Sequence, residues 1–211
     1  MVDWLIENPH IGVAGNIGAG KTTITEKLAE KFDLKPIYES VVDNPYLSDF
    51  YKNMDRWSFN LQIYFLYHRF SSQVKLKNII GGFIQDRTIY EDKEIFAKNL
   101  NDLNHMSNRD WKTYESLFNN MTMFLGKPNL IIYLKASTDT LLSRIRNRDR
   151  DFEKNINPEY IHSLNVYYDR WINRLDEKNT LIINTNDFNI FKDLDRLEEI
   201  FKEVENKLKI M

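Results

Sequence analysis

At 211 residues, 42% of them apolar, the chain is long enough to bury a sizeable core and too apolar for intrinsic disorder. Its 29 Lys and Arg against 31 Asp and Glu leave a formal charge of -2, so no global basic field exists to draw in nucleic acid or an anionic membrane, and any anion site must be local. The absence of cysteine excludes disulfides, thiolate nucleophiles and Cys-based zinc sites. The histidines at 10, 68, 105 and 162 lack ligand spacing, the N-terminus carries acids where a signal peptide needs a basic region, and no stretch reaches the roughly 18 apolar residues of a membrane span. The chain is expected to be one cytoplasmic domain, residues 1–211, that binds neither a membrane nor a nucleic acid polymer.

In chain order, Ile11 and Val13 predict a short buried strand, and four of the seven glycines then crowd between Gly12 and Gly20. Thr22 to Phe32 repeats Ile24, Leu28 and Phe32 at helical spacing. Further strands are predicted at Pro36 to Glu39, Phe83 to Asp86, Leu130 to Lys135 and Thr180 to Asn184. A long helix from about Arg56 to Leu76 is apolar nearly all round, which predicts burial on more than one side. Other helices are predicted from about Glu91, Asn108, Ser137, Asn157-Pro158 and Phe191. Strands separated by helical segments imply crossovers, hence an α/β fold with about five parallel strands.

Gly15-Asn16-Ile17-Gly18-Ala19-Gly20-Lys21-Thr22 fits the G-x-x-x-x-G-K-[ST] pattern and lies between a predicted strand and a predicted helix, the context the pattern requires. Glycines let consecutive N–H groups turn inward on phosphate oxygens at the positive end of a helix. Lys21 would reach the outer phosphates and the Thr22 hydroxyl would ligate Mg²⁺. Glu39 and Asp86 fall at carboxyl ends of predicted strands, where open α/β sheets hold their ligands. Either could be a general base or help order the metal, and either could equally be a solvated loop acid. Arg87, beside Asp86, could offset charge developing on a transferred group.

On the long helix, Gln62 and Arg69 are seven residues apart and so project from nearly one side, polar groups in an apolar helix. A Gln amide offers a donor beside an acceptor, the complement of a base edge such as that of adenine. Arg144, Arg146, Arg148 and Arg150 alternate through a helix end followed by Asp149, Asp151 and Glu153. This pattern suits a solvated, self-paired face or a mobile cover over phosphates.

Taken together, these motifs resemble the deoxynucleoside kinase family. They are the GNIGAGKTT loop through Thr23; Glu39; Tyr51; Arg56 to Gln62 with Arg69; Asp86-Arg87-Thr88 followed by Asp92 and Phe96; and the arginine run ending in Glu153. The resemblance covers nearly the whole chain and implies a P-loop kinase three-layer sandwich with an arginine-rich lid. It also implies transfer of the ATP γ-phosphoryl group to a deoxynucleoside 5'-hydroxyl, Mg²⁺ as cofactor and a homodimer. By that likeness Glu39 takes the hydroxyl proton, with Asp86 its rival or a metal-ordering acid, and Arg87 lies at the transferred group. Tyr51 and Glu153 hold the sugar 3'-hydroxyl; Gln62, Arg69 and Asp92 read the base, and Phe96 packs on its face. Arg144, Arg148 and Arg150 belong to the lid, and Asn184-Thr185-Asn186-Asp187 resembles the adenine-contact loop.

Ser40 after Glu39, and Asn44-Pro45-Tyr46, depart from many animal relatives and resemble the bacterial purine-directed branch, with deoxyadenosine the first choice and deoxyguanosine or deoxycytidine next. A nucleoside monophosphate kinase, the alternative, needs basic residues where Tyr51 and Glu153 stand. A regulatory GTPase needs the lysine that Asn184 to Asp187 lacks.

Overall fold

Strands and helices alternate along the chain in a computed structural model that describes residues 8–38, 44–76, 81–148, 150, 153 and 156–210. Five strands, β1 (His10–Ala14), β2 (Lys35–Ile37), β3 (Phe83–Asp86), β4 (Leu130–Lys135) and β5 (Thr180–Asn184), pair wholly in parallel in the order β2-β3-β1-β4-β5. The helices are α1 (Lys21–Phe32), α2 (Leu47–Lys52), α3 (Met54–Leu76), α4 (Ile89–Glu91), α5 (Lys98–Asp102), α6 (Asn108–Thr122), α7 (Thr138–Arg148), α8 (Pro158–Ile172) and α9 (Leu194–Ile210). A π-helical stretch, Asp92–Ala97, joins α4 to α5.

Period-two alternation places the core on both faces of the sheet. Leu130, Ile132 and Leu134 pack with Ile24, Leu28, Ile200 and Val204 on one side, whereas Ile131 and Tyr133 pack with Leu61, Leu66, Ile95 and Leu164 on the other. The result is three layers, helix, sheet and helix. No described helix is long and apolar enough to cross a membrane.

Four predicted elements differ. The strand expected at Pro36 to Glu39 is Lys35–Ile37, since its pairing with β3 runs only from Lys35 opposite Phe83 to Ile37 opposite Gln85, so Glu39 lies beyond the strand rather than at its end. The long helix is buried on one side only, along Ser58, Leu61, Gln62, Leu66, Arg69, Gln73 and Leu76. The polar members of that row have separate partners, Ser58 donating to the Met54 carbonyl (2.7 Å), Gln73 to the Gly126 carbonyl (3.3 Å) and Arg69 to Asp92, while Tyr67 and Val74 on other faces are exposed. The helix expected from Phe191 begins at Leu194, because Asn189 first closes a turn in which its carbonyl accepts from the Lys192 and Asp193 amides. The helix expected from Glu91 begins at Ile89, since Thr88 caps it.

Candidate active site

β1 ends between its neighbours β3 and β4, so the loop after it opens at the carboxyl edge of the sheet where the strand order diverges, the usual ligand crevice of an open α/β sheet. Gly18 (φ 84°) and Gly20 (φ 91°) take the left-handed conformation that bends this loop. A Cβ on Gly18 would also come within 3.0 Å of the Leu141 carbonyl oxygen. The loop runs straight into α1, whose N-terminal amides and dipole face the same space. Lys21 is buried and donates to the Asn16 carbonyl at 3.1 Å.

Beside the loop lies a cavity of about 570 Å³. It gathers most of the sequence-predicted residues: Ile17, Gly18, Gly20, Lys21, Thr22 and Thr23 at one end; Tyr51, Gln62, Asp92 and Phe96 at the other; and Asp86, Arg87, Arg144, Arg148, Arg150 and Glu153 between and around them. Gly15, Asn16 and Ala19 support the loop without lining the cavity. Asn16 is buried, donates to the Ile161 carbonyl (2.9 Å) and to Asn165 Oδ1 (2.7 Å), and so fastens the loop to α8. Arg69 also stands behind the cavity wall, where its Nε lies 2.5 Å from Asp92 Oδ2 and its Nη1 donates to the Arg87 carbonyl at 3.3 Å. It therefore acts on the cavity through Asp92. Asn186 and Asp187 line an adjoining cavity together with Gly20, Thr23, Arg144 and Arg148. Glu39 lies outside the described residues.

The Thr22 hydroxyl donates to Asp86 Oδ2 at 2.6 Å, and Asp86 Oδ1 is buried with no hydrogen-bond partner among the described residues. A hydroxyl beside an acceptor-rich carboxylate at a triphosphate loop is a hard-oxygen donor set that fits Mg²⁺. Arg87 sits at φ 65°, an uncommon conformation for a side chain with a Cβ, held by its amide on the Val13 carbonyl (3.0 Å) and its carbonyl on Arg69. Its guanidinium carbon rests 4.2 Å from the centroid of the Phe96 ring.

Asp92 and Phe96 both belong to the π-helical stretch, a geometry frequent at functional sites. Gln62 is buried, and its Oε1 has no hydrogen-bond partner among the described residues. Burial pushes the Tyr51 phenol well above its ordinary ionisation, reinforced by neighbouring Tyr160 and Glu153. Glu153 is buried, with Oε2 2.6 Å from Arg148 Nε and Oε1 3.7 Å from Arg150 Nη1. Arg144 binds the Thr185 hydroxyl (3.2 Å) and the Phe188 carbonyl (3.3 Å), which anchors the loop after β5 to α7.

Sequence reasoning missed Leu47, Phe50, Leu61, Phe65 and Tyr160, whose apolar surfaces line the cavity but read as ordinary core in one dimension. It also missed Glu91, although Thr88-Ile89-Tyr90-Glu91 carries the S/T-x-x-E signature of a helix start.

A phosphate loop facing a hydroxyl–carboxylate pair, across a cavity whose far wall has polar base-sized partners, defines a P-loop phosphotransferase. The deoxynucleoside kinase family pattern matches residues 11–209, and the chain belongs to that family. It is 40% identical to the deoxyadenosine/deoxycytidine kinase of Bacillus subtilis (strain 168) over 94% of this chain and 92% of that one. It is 34% identical to the deoxyadenosine kinase of Lactobacillus acidophilus over 94% and 96%. Among solved structures, deoxyadenosine kinase from M. mycoides with products dCMP and a flexible dCDP bound superposes with a TM-score of 0.83 at 31% identity, covering 93% of this chain and 99% of that one. The same enzyme with bound dATP superposes with a TM-score of 0.81.

Proposed function

We propose that this chain, acting as one cytoplasmic catalytic domain and as a homodimer, transfers the γ-phosphoryl group of ATP to the 5'-hydroxyl of a deoxynucleoside. Deoxyadenosine is the first choice and deoxyguanosine or deoxycytidine follow. The observation that carries this reading is the polarity of one cavity, with a phosphate cradle at one end and, at the other, a wall of Gln62, Phe96 and the buried Asp92–Arg69 pair. The amides of the glycine loop, Lys21 and the start of α1 bind the triphosphate; Thr22 and Asp86 would hold Mg²⁺, which would supply screening of the phosphate charge.

At the far end Asp92 accepts from an exocyclic amino group, with Arg69 fixing the carboxylate, while Gln62 supplies an acceptor beside a donor. Adenine and cytosine both present an amino group beside a ring acceptor. That likeness accords with a relative named for both nucleosides and with the dATP and dCMP held by the M. mycoides enzyme. Phe96 packs on the base. Tyr51 and Glu153 hold the 3'-hydroxyl, and Arg148 and Arg150, both against Glu153, close over the phosphates. Glu39 takes the 5'-hydroxyl proton as the oxygen attacks the γ-phosphorus, the bond to the β-phosphate oxygen breaks, and ADP leaves with the electron pair. Arg87 offsets the charge on the transferring group.

The purified protein should convert deoxyadenosine and labelled ATP·Mg²⁺ to dAMP and ADP faster than it converts the other three deoxynucleosides, and Lys21→Ala should abolish the reaction. Phosphorylation of monophosphates with none of nucleosides would overturn the reading in favour of a nucleoside monophosphate kinase.

A further inference from the structure

A carboxyl group that this reaction does not use lies between the two halves of the site. Glu91 is fully buried. Its Oε2 accepts from the Gly15 amide at 3.2 Å and from the Tyr168 hydroxyl at 2.8 Å. Its Oε1 accepts from the Thr88 amide at 2.8 Å and faces the Thr88 hydroxyl at 3.4 Å. The Gly15 carbonyl oxygen is also 2.8 Å from the Tyr168 hydroxyl, whose single proton is shared between it and Glu91 Oε2, so Gly15 is held through its amide by Glu91 and through its carbonyl by a share of the Tyr168 bond. Tyr168 is itself fully buried, stacked on Tyr133 of β4 (centroids 5.5 Å apart) and set edge-on to Phe96 at 6.4 Å.

A helix cap accounts for only half of this. The bond from Oε1 to Thr88 closes the first turn of α4, but Oε2 reaches a residue 76 positions earlier in the chain. Burying a carboxyl group is costly unless its oxygens are satisfied, and burial pushes Glu91 toward the neutral acid while Arg87 and the Thr88 amide pull it back. The three tethered segments are Gly15, which opens the phosphate loop; Thr88, which follows Arg87; and Glu91 itself, which precedes Asp92. We propose that Glu91, clamped by Tyr168, is a positioning residue that fixes the donor loop at one separation from Arg87 and from the base-binding wall.

The proposal rests on the kinase reading and sharpens it. The remaining loop amides and Lys21 still bind ATP without the tether, and Gln62 and Asp92 still bind the nucleoside, so affinity is spared while alignment suffers. A displacement of about 1 Å can lower the rate on the order of a hundredfold. Glu91→Gln keeps the size but sets an amide donor against either the Gly15 or the Thr88 N–H, so one tether must open. The folded variant should lose about tenfold to a hundredfold in kcat, with KM for ATP and for deoxyadenosine within about threefold of wild type. Hydrogen exchange at the Gly15 amide, followed by NMR without substrate, should quicken by more than amides in the sheet core, whose exchange reports the fall in global stability.

A folded Glu91→Gln protein with wild-type kcat, or one whose KM values rise in step with the loss, overturns the proposal. Should that variant fail to fold, Tyr168→Phe decides, since it removes one hydroxyl and keeps the ring stack. A smaller fall in kcat with faster Gly15 exchange supports the clamp, and no change in either overturns it. A wild-type protein that phosphorylates no deoxynucleoside would defeat the kinase reading alone, leaving amide exchange to judge the tether.

Discussion

Asp86 and Glu39 both read from sequence as candidate bases. The Thr22 hydroxyl donates to Asp86 Oδ2 at 2.6 Å, which accords with the metal-ordering role proposed for Asp86 and the proton-accepting role proposed for Glu39. Glu39→Gln should therefore lower kcat on the order of 10² to 10⁴ while deoxyadenosine KM stays nearly constant. Asp86→Asn should instead raise the Mg²⁺ concentration needed for half-maximal rate. The reverse pattern, with kcat lost only in Asp86→Asn at an unchanged Mg²⁺ requirement, would make Asp86 the base. A second residue matters to stability alone. His10 is buried on the strand that leads to the phosphate loop, stacked 4.3 Å from Phe83, and burial lowers its pKa from 6.5 to about 4. The imidazole is thus neutral in the folded protein, and below pH 6.5 the unfolded chain binds the extra proton. Stability from this residue is intact above pH 6.5 and falls as the pH drops toward 4, by about 2 kcal/mol at pH 5. His10→Gln should flatten the decline of the urea midpoint between pH 7 and pH 5, whereas parallel declines would place the acid sensitivity elsewhere.

Among the elements, the sequence disclosed what depends on short-range pattern. The glycine loop had its motif, and β3, β4 and β5 run over the predicted residues because each is a short apolar stretch between turn signals. The face of α3 was harder to read. Its composition is apolar nearly all round, which does not single out the row that mixes Leu61, Leu66 and Leu76 with Ser58, Gln62, Arg69 and Gln73. Only tertiary partners select it: Gln62 lines the cavity, Arg69 pairs with Asp92, and Ser58 and Gln73 donate to the Met54 and Gly126 carbonyls. The π-helical stretch left no trace at all, since an added residue per turn alters no composition, yet it carries both Asp92 and Phe96. Because α3 supplies Arg69 and the π stretch supplies Asp92, the wall proposed to read the base depends on two elements holding one ion pair. Removing one partner alone would strand a buried charge at a cost of about 3–5 kcal/mol, so the informative variant changes both. Arg69→Met with Asp92→Ala should reduce the preference for deoxyadenosine over thymidine by about tenfold to a hundredfold in kcat/KM. An unchanged ratio would remove the pair from base recognition.

For the molecule as a whole, the parallel sheet commits its carboxyl edge to the reaction and leaves the outer faces of α3 and α6 with no catalytic task. Those two helices pack together, and their outward side chains include Tyr67 (59% exposed), Val74 and Leu117, with Phe124 (65% exposed) just beyond α6. Apolar side chains gathered on neighbouring helices are characteristic of an interaction surface, and a two-fold axis lets one such surface cover its own copy. The proposed homodimer would cover the aromatic faces of α3 that the single chain leaves half-covered. Sedimentation equilibrium should therefore give twice the 25.3 kDa of one chain at micromolar concentration. Tyr67→Glu combined with Leu117→Glu should halve that mass by burying two charges at the interface, while kcat per chain stays within about threefold because neither residue lines the cavity. A wild-type protein that sediments as a single chain throughout the micromolar range would leave the aromatic face of α3 without its proposed partner.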